Sequence, residues 1–592
     1  MKRVAIVHKE KCNPIGCGDY LCIRVCPENR MGKECIVKDS DGKVAINESE
    51  CTSGVSIAVK ACPYGALEVI NLPEKLDEDP VHRYSKNSFE LFRIPTPKKG
   101  MVVGILGRNG IGKSTAFDIL TNTHKPNLGE YNQKEVEEKE ILNKFKRSEL
   151  SKYLYELYHG QIKVAYKPQR IDLIPKIYKG KVKDLILKVD ERNISKKLIE
   201  DFEISELLER NLSDLSGGEL QKVAILATIL KKANFYFFDE PASFLDVNAR
   251  IKIAKIIRQL GQEASVMVVE HDLATLDFIS DEIQILYGSP GAYGVVSQSK
   301  SVRRGINEYL DGYLDSENIR FRDYPIKYTR SLDHKSVSKD ILLSYGEMKK
   351  TFDSFCLKVN EGSVRKGEVL TVMGANGLGK TTFLKLLAGV EKTDRGEVLK
   401  NKIAYKLQYP DSNIDGTVRQ HLTSIAKGEF ESGWYKQNII EKLNLANVLD
   451  NQIRTLSGGE LQKVYIAATL SALDVKIFAF DEPTAFIDVE DRLKVAEVIK
   501  EFVTRKEVCA IVVDHDVQFI DFLSDRMLVF EGVPTKQGQI FGPLEKTDGM
   551  NRVLKMLDIT YRRDIHSKRP RINKPGSQLD VQQRSSNMYY AD

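Results

Sequence analysis

LSGGELQ stands at Leu215–Gln221 and returns letter for letter at Leu456–Gln462, and the sequence around it repeats in the same order. Before the first copy, the apolar run Met101–Leu106 enters GRNGIGKST, Gly107–Thr115; before the second, Val369–Met373 enters GANGLGKTT, Gly374–Thr382. Both strings fit G-x-x-x-x-G-K-[ST], whose glycines let backbone N–H groups wrap phosphates. The candidate phosphate-binding residues are therefore Gly107, Arg108, Asn109, Gly110, Ile111, Gly112, Lys113, Ser114 and Thr115, matched by Gly374, Ala375, Asn376, Gly377, Leu378, Gly379, Lys380, Thr381 and Thr382. An apolar strand, a glycine-rich loop and a helix, given twice, predict a duplicated α/β chain with largely parallel sheets covered on both faces.

Each repeat then supplies acids and a histidine. FYFFDEP and IFAFDEP end buried strands in Asp239 and Glu240, and in Asp481 and Glu482. The first acid of each pair suits the shell of a Mg²⁺ ion, together with the hydroxyl of Ser114 or Thr381. The second is a candidate general base for the attacking water, because phosphoryl transfer needs positioning and charge stabilisation more than covalent chemistry. VMVVEHD and AIVVDHD deliver His271 and His515 at the end of another strand, at nearly the same distance past the aspartate in both repeats. Upstream aromatics Tyr84, Phe89 and Phe355 are candidates to stack on the adenine.

The repeats differ in length. The stretch from Lys113 to Gln169 is twice as long as that from Lys380 to Gln408, and ILNKFKRSELSKYLYEL within residues 130–161 predicts a basic helical hairpin on the surface. Lys and Arg total 89 against 83 acids, a formal net charge of +6, too small for a nucleic-acid coat. No apolar stretch is long enough for a bilayer, and the expectation is a cytoplasmic protein. Two arginine-rich stretches, Ser301–Asp323 and Ile559–Ser577, look like connectors that act as a hinge if they pack along the seam between the repeats. The polar end of the chain is expected to be disordered.

At LSGGELQ the chain resembles the ABC ATPase family. The resemblance implies two composite ATP sites, each needing both halves: Lys113, Gln169, Asp239, Glu240 and His271 facing Ser457, Gly458 and Gly459, and Lys380, Gln408, Asp481, Glu482 and His515 facing Ser216, Gly217 and Gly218. Asp246 and Asp488, in SFLD and AFID, match the segment that links the sites across the seam. KPQ, ending in Gln169, and KLQ, ending in Gln408, hint at asymmetry between them.

Seven of the nine cysteines fall within the first 62 residues, which in a cytosolic setting reads as metal or cluster ligation. Cys12, Cys17, Cys22 and Cys26 before Pro27, then Cys51 and Cys62 before Pro63, resemble bacterial ferredoxins. This head, the twin cassettes, HRY, ENIRFRD, YRRD and KRPRINK together resemble the RNase L inhibitor family, ABC subfamily E. The fold implied is two tandem P-loop ABC domains behind a small ferredoxin-like α+β domain: 1–75 head, 76–300 first cassette, 301–340 hinge, 341–545 second cassette, 546–592 C-terminal hinge and tail. The family's second cysteine run carries two thiols that this chain lacks. One [4Fe–4S] cluster is expected on Cys12, Cys17, Cys22 and Cys62, and a degenerate second site on Cys26 and Cys51, with Ser53 and Ser56 as poor substitutes and Cys35 as a spare.

The function implied is ribosome recycling. ATP-driven closure splits the subunits, with ribosomal RNA and proteins, a class I release factor or its stalled-ribosome rescue paralogue, and initiation factors as partners of a monomer that is an internal pseudo-dimer. Three rival readings compete with it: an iron–sulfur redox protein gated by ATP, a transporter's ATPase subunit and a subfamily F-like translation factor. Reversible reduction of the head, membrane partners and a cluster-free head, respectively, would mark them.

Overall fold

The computed structural model describes residues 3–51, 54–72, 78–132, 136–146, 148–328, 338–352, 354–396, 402–408, 411 and 413–591. Two mixed sheets carry the chain, one in each repeat. In the first, Val164–Lys167, Phe235–Asp239, Ser265–Val269, Val102–Leu106 and Glu282–Ser289 run side by side and parallel. In the second, Ile403–Lys406, Ile477–Asp481, Cys509–Val513, Val369–Gly374 and Arg526–Val533 do the same in the same order. Their near-continuous apolar runs, such as the fully buried VVGIL of Val102–Leu106, are what a strand covered on both faces requires. An antiparallel edge extends each sheet, through Tyr293–Val296 and Glu90–Phe92 in one and through Gln537–Glu545 and Phe355–Val359 in the other.

The head pairs Arg3–Val7 with Leu67–Asn71 and Ile36–Lys38 with Val44–Ile46, both antiparallel, beside helices Leu21–Val25 and Val55–Ala61. It is fastened to the first cassette by buried Asn87, whose amide donates to Ile46 O (2.9 Å) and accepts from Ile46 N (2.8 Å).

The insertion is a helical hairpin, Glu138–Lys144 and Glu149–Tyr158, whose Ile141, Leu150, Leu154 and Leu157 are buried in the first cassette's core. Its exposed face is not basic as expected: Glu137, Glu138 and Glu140 stand among Lys139, Lys144, Lys146 and Lys152, so the charges balance locally.

The two arginine-rich stretches are built structure rather than solvated connectors. Helix Val302–Asp311 buries Ile306, Tyr309 and Leu310 against the first sheet. The C-terminal hairpin Tyr561–Arg563/Pro570–Ile572 lies between the halves: Arg571 Nε donates to Asp277 of the first (2.7 Å), and Gln518 of the second donates to Pro570 O (3.0 Å). The chain end is ordered too, contrary to expectation, with helix Gln578–Ser585 and a buried Tyr590. Arg303, Arg563, Arg569 and Arg571 pair with Asp564, Asp521 and Asp277. These guanidinium–carboxylate pairs hold the seam.

Candidate functional site

Four neighbouring parallel strands end at the same edge of each sheet, so the residues just past them are brought together by strand order alone. In the first cassette, Val164–Lys167 leads to Gln169, Phe235–Asp239 to Glu240, Ser265–Val269 to His271, and Val102–Leu106 to the glycine-rich loop. Gln408, Glu482, His515 and the loop Gly374–Thr382 come after the corresponding strands of the second.

The loops turn into helices Lys113–Leu120 and Lys380–Leu387 through Gly112 (φ 91°) and Gly379 (φ 90°). Phe89 and Phe355 press on these glycines: a Cβ at Gly112 would lie 2.4 Å from Phe89 Cζ, and one at Gly379 would lie 2.9 Å from Phe355 Cζ. Two of the predicted aromatics thus occupy equivalent places beneath the loops. Tyr84 is half exposed and reaches its loop by a hydroxyl contact to Thr115 Oγ1 (2.9 Å). Lys113 Nζ donates to Gly107 O (2.8 Å), and Lys380 Nζ to Gly374 O (2.9 Å) and Ala375 O (2.7 Å). Burial lowers the pKa of both ammonium groups, that of Lys380 to about 8.

Glu240 Oε1 accepts from Gln169 Nε2 (2.7 Å) and lies 3.5 Å from His271 Nε2. Glu482 is hydrogen-bonded by Gln408 and lies 3.6 Å from His515 Nε2. Both glutamates take left-handed backbone angles, φ 47° and 45°, which a glutamate adopts only under constraint from its surroundings. Burial, with the neighbouring lysine adding to it, holds both histidines well below the ordinary imidazole range, so they are neutral at physiological pH. Asp481 accepts from Thr381 Oγ1 (2.7 Å) and Tyr405 OH (3.2 Å), whereas burial and the adjacent Glu240 push Asp239 up to about 7.

Ser216 and Ser457 cap helices Gly217–Leu230 and Gly458–Leu470, each in a reciprocal box with Glu219 and Glu460 respectively. The first of these motifs faces the second cassette's loop: a Cβ at Gly218 would lie 3.8 Å from Asn376 Nδ2, and Asn376 N donates to Asp246 Oδ2 (2.8 Å). On the other side of the seam, Arg108 Nε lies 3.6 Å from Glu490 Oε2, and Asp488 acts electrostatically on Lys113. Phe244 and Phe486 meet edge to face between them, 5.5 Å apart.

Sequence reasoning missed several groups here. Buried Lys167 and Lys406 donate to the backbone carbonyls of Asp239 (2.7 Å) and Asp481 (3.0 Å), fixing the acid-bearing turn; burial lowers both to about 8. Glu270 accepts from Ala242 N (2.9 Å) and His271 N (2.8 Å), and Asp514 accepts from Thr484 Oγ1 (2.8 Å) and His515 N (2.7 Å), so each ties the histidine turn to the acid turn. Arg250 NH1 donates to Asp272 Oδ2 (3.1 Å) and crosses to His515 O (3.3 Å). Its counterpart Arg492 bonds Asp516 (2.7 Å) and lines an inter-cassette cavity with His271. Their signal was recurrence, since each pair holds equivalent places in the two repeats.

In the head, Cys12, Cys17, Cys22 and Cys62 line one cavity, the grouping expected for a cluster. Burial, with those neighbouring thiols, pushes Cys22 up to about 11. Cys35, the extra thiol that could assist the second site, lies against it: its Sγ is 2.9 Å from Cys51 Sγ, and Cys26 and Glu28 adjoin it. Ser53 lies outside the described residues, and Ser56 is on helix Val55–Ala61.

Twin mixed sheets with parallel centres, duplicated glycine loops, paired acids and signature helices define a tandem ABC ATPase. The ABC transporter family profile matches residues 96–243 and 357–485. An uncharacterized ABC transporter ATP-binding protein of Methanocaldococcus jannaschii is 48% identical, covering 99% of this chain and 97% of its own. The translation initiation factor RLI1 of Saccharomyces cerevisiae is 41% identical, covering 99% and 98%. Among solved structures, a model of ribosome-bound archaeal Pelota and ABCE1 superposes with TM-score 0.95 at 46% identity, covering 100% of this chain and 99% of that one. The complex of archaeal ribosomal stalk protein aP1 with the recycling factor aABCE1 gives 0.82 at 45%, covering 87% and 100%. The chain belongs to the ABCE1 family, the RNase L inhibitor subfamily of ABC ATPases. It is an ATP-hydrolysing enzyme, with ATP and Mg²⁺ as its requirements. Among the described residues no helix is long and apolar enough to cross a membrane.

Proposed function

We propose that the chain is a cytoplasmic ribosome-recycling ATPase that separates ribosomal subunits when two ATP molecules draw its cassettes together. The observation that carries this reading is the full-length match to a ribosome-bound ABCE1. The seam contacts support it physically, since Asp246 and Arg250 of one half touch Asn376 and His515 of the other, and anything that moves one phosphate loop is felt across the interface.

In each site the lysine, Lys113 or Lys380, neutralises the β and γ phosphates. Ser114 with Asp239, and Thr381 with Asp481, hold the Mg²⁺. Glu240 and Glu482 orient the attacking water and take its proton, placed by Gln169 and Gln408, while neutral His271 and His515 donate towards the γ-phosphate. Ser457, Gly458 and Gly459 complete the first site, and Ser216, Gly217 and Gly218 the second, with backbone N–H groups at helix N-termini. Phe89, Phe355 and Tyr84 bear on the adenine side. In the head, Cys12, Cys17, Cys22 and Cys62 fit a [4Fe–4S] cluster, whose thiolate–iron bonds would cross-link segments that are far apart in sequence. Partners under this reading are the ribosomal subunits and a release or rescue factor seated between them.

Subunit splitting on sucrose gradients tests it. Wild type converts 70S or 80S particles to subunits over repeated rounds with ATP, and the Glu240→Gln/Glu482→Gln double variant, able to close but not to hydrolyse, is limited to a single round. Splitting by the double variant at the wild-type rate with repeated turnover would overturn the proposal.

A further inference from the structure

We propose that Cys26, Cys35, Cys51 and Glu28 form a mononuclear metal site of the kind that holds Zn²⁺, in place of a second iron–sulfur cluster. Counted forward from Cys51, the family pattern C-x-x-C-x-x-C-x-x-x-C-P puts ligands at Gly54 and Ile57; counted back from Cys62 and Pro63, one residue out of that register, it puts them at Ala58 and Val55, and none of these offers a donor, so the residues present do not fit a four-thiolate cluster. A carboxylate stands there instead. A Cβ at Gly54 would lie 2.8 Å from Glu28 Oε1 and 2.9 Å from Oε2, so Glu28 fills the space in which a side chain at 54 would begin.

Glu28, Cys26 and Cys35 are each fully buried. Their donor atoms lie within 4.8 Å of one another; Cys26 Sγ is 3.3 Å from Glu28 Oε2, and Cys35 Sγ is 2.9 Å from Cys51 Sγ. Donors sharing one tetrahedral ion at Zn–S about 2.3 Å stand roughly 3.8 Å apart, a spacing within the span of Cys26, Glu28 and Cys35, which Cys51 joins through its contact with Cys35. Thiolates of a four-iron cluster each bind a different iron and surround a larger body, as Cys12, Cys17, Cys22 and Cys62 do around their cavity. The two donor sets of one small head are thus built to different scales.

The inference stands on the head's geometry and is untouched if the recycling reading fails. Full-length protein purified anaerobically and loaded with iron, sulfide and zinc is assayed for metals and labile sulfide per chain. The expected result is about four irons and one zinc. Cys35→Ser should lose at least four-fifths of the zinc and keep the iron, and Cys17→Ser should do the reverse. Wild type loaded with Co²⁺ should show thiolate-to-cobalt charge transfer and the intense visible bands of a tetrahedral ion, a readout that holds if either variant fails to fold. Seven or eight irons per chain, a Cys35–Cys51 disulfide in anaerobically alkylated peptides, or a weak octahedral cobalt spectrum would each overturn the site.

Discussion

The two ATP sites share the loop glycines and lysine, the Asp-Glu pair, the histidine, the glutamine and the whole of LSGGELQ, and differ in how they are latched. The second cassette's phosphate loop is tied to the first half through backbone, Asn376 N to Asp246 (2.8 Å). The first cassette's loop meets the second half through a side chain, Arg108 at 3.6 Å from Glu490. Glu490 is also bonded by Tyr324 and Lys494 and lies 3.7 Å from Arg322, so this latch belongs to the hinge as much as to the site. The metal-side acids differ in their partners: burial raises both, but Asp481 receives the hydroxyls of Thr381 and Tyr405, which hold it back, while the adjacent Glu240 adds to the rise of Asp239, to about 7. Catalytic groups were duplicated faithfully, then, and asymmetry entered through the residues that hold them.

The largest expected effect tests whether that asymmetry reaches the chemistry. Glu240→Gln and Glu482→Gln should each lower turnover at their own site by about 10²–10⁴. Steady-state phosphate release should then differ severalfold between the two single variants, because each reports the site left intact; equal residual rates would level the comparison. A smaller effect is expected at the latch. Asp246→Ser keeps the cap of helix Val247–Glu263 but shortens the arm to Asn376. A lost charge-assisted hydrogen bond of about 1.5–3 kcal/mol predicts at least tenfold weaker retention of a non-hydrolysable ATP analogue in the second site. Asp488→Ser should cost less, since Arg108 and Glu490 hold that side independently. Filter-binding half-lives in the reverse order would assign the latches wrongly.

The duplicated motifs made the sheets, the loop residues and the acid–histidine sets legible from sequence, because repetition at matched spacing singles out residues that one copy would leave ambiguous. The contacts that stayed hidden depend on distance in the fold. Arg250 lies 265 positions from the His515 carbonyl it crosses to, and Arg571 lies 294 from Asp277. Composition marked Arg571 only as part of an arginine-rich connector, whereas the structure pairs it with Asp277 across the seam. The hairpin was misjudged because its helical stretch was counted without the glutamates just before it. Glu28 was overlooked because a lone acid beside Cys26 and Pro27 carries no spacing signal until folding places it against Gly54.

The smallest effect concerns the tripeptides KPQ and KLQ that end in the two sensor glutamines. Lys406 closes strand Ile403–Lys406 with extended backbone, the conformation proline demands of its predecessor, and Leu407 is half exposed. Leu407→Pro therefore loses little side-chain burial and keeps the Leu407 carbonyl that accepts from Lys406 Nζ (3.1 Å). By restricting the unfolded chain it should stabilise the second cassette by about 0.5 kcal/mol, read as a small rise in its denaturation midpoint. If the leucine sets Gln408's freedom to engage Glu482, the substitution also narrows the gap between the Glu240→Gln and Glu482→Gln backgrounds by less than about twofold, a modest share against the latch contacts. A gap that closes entirely would move the origin of the asymmetry from the seam to this one peptide.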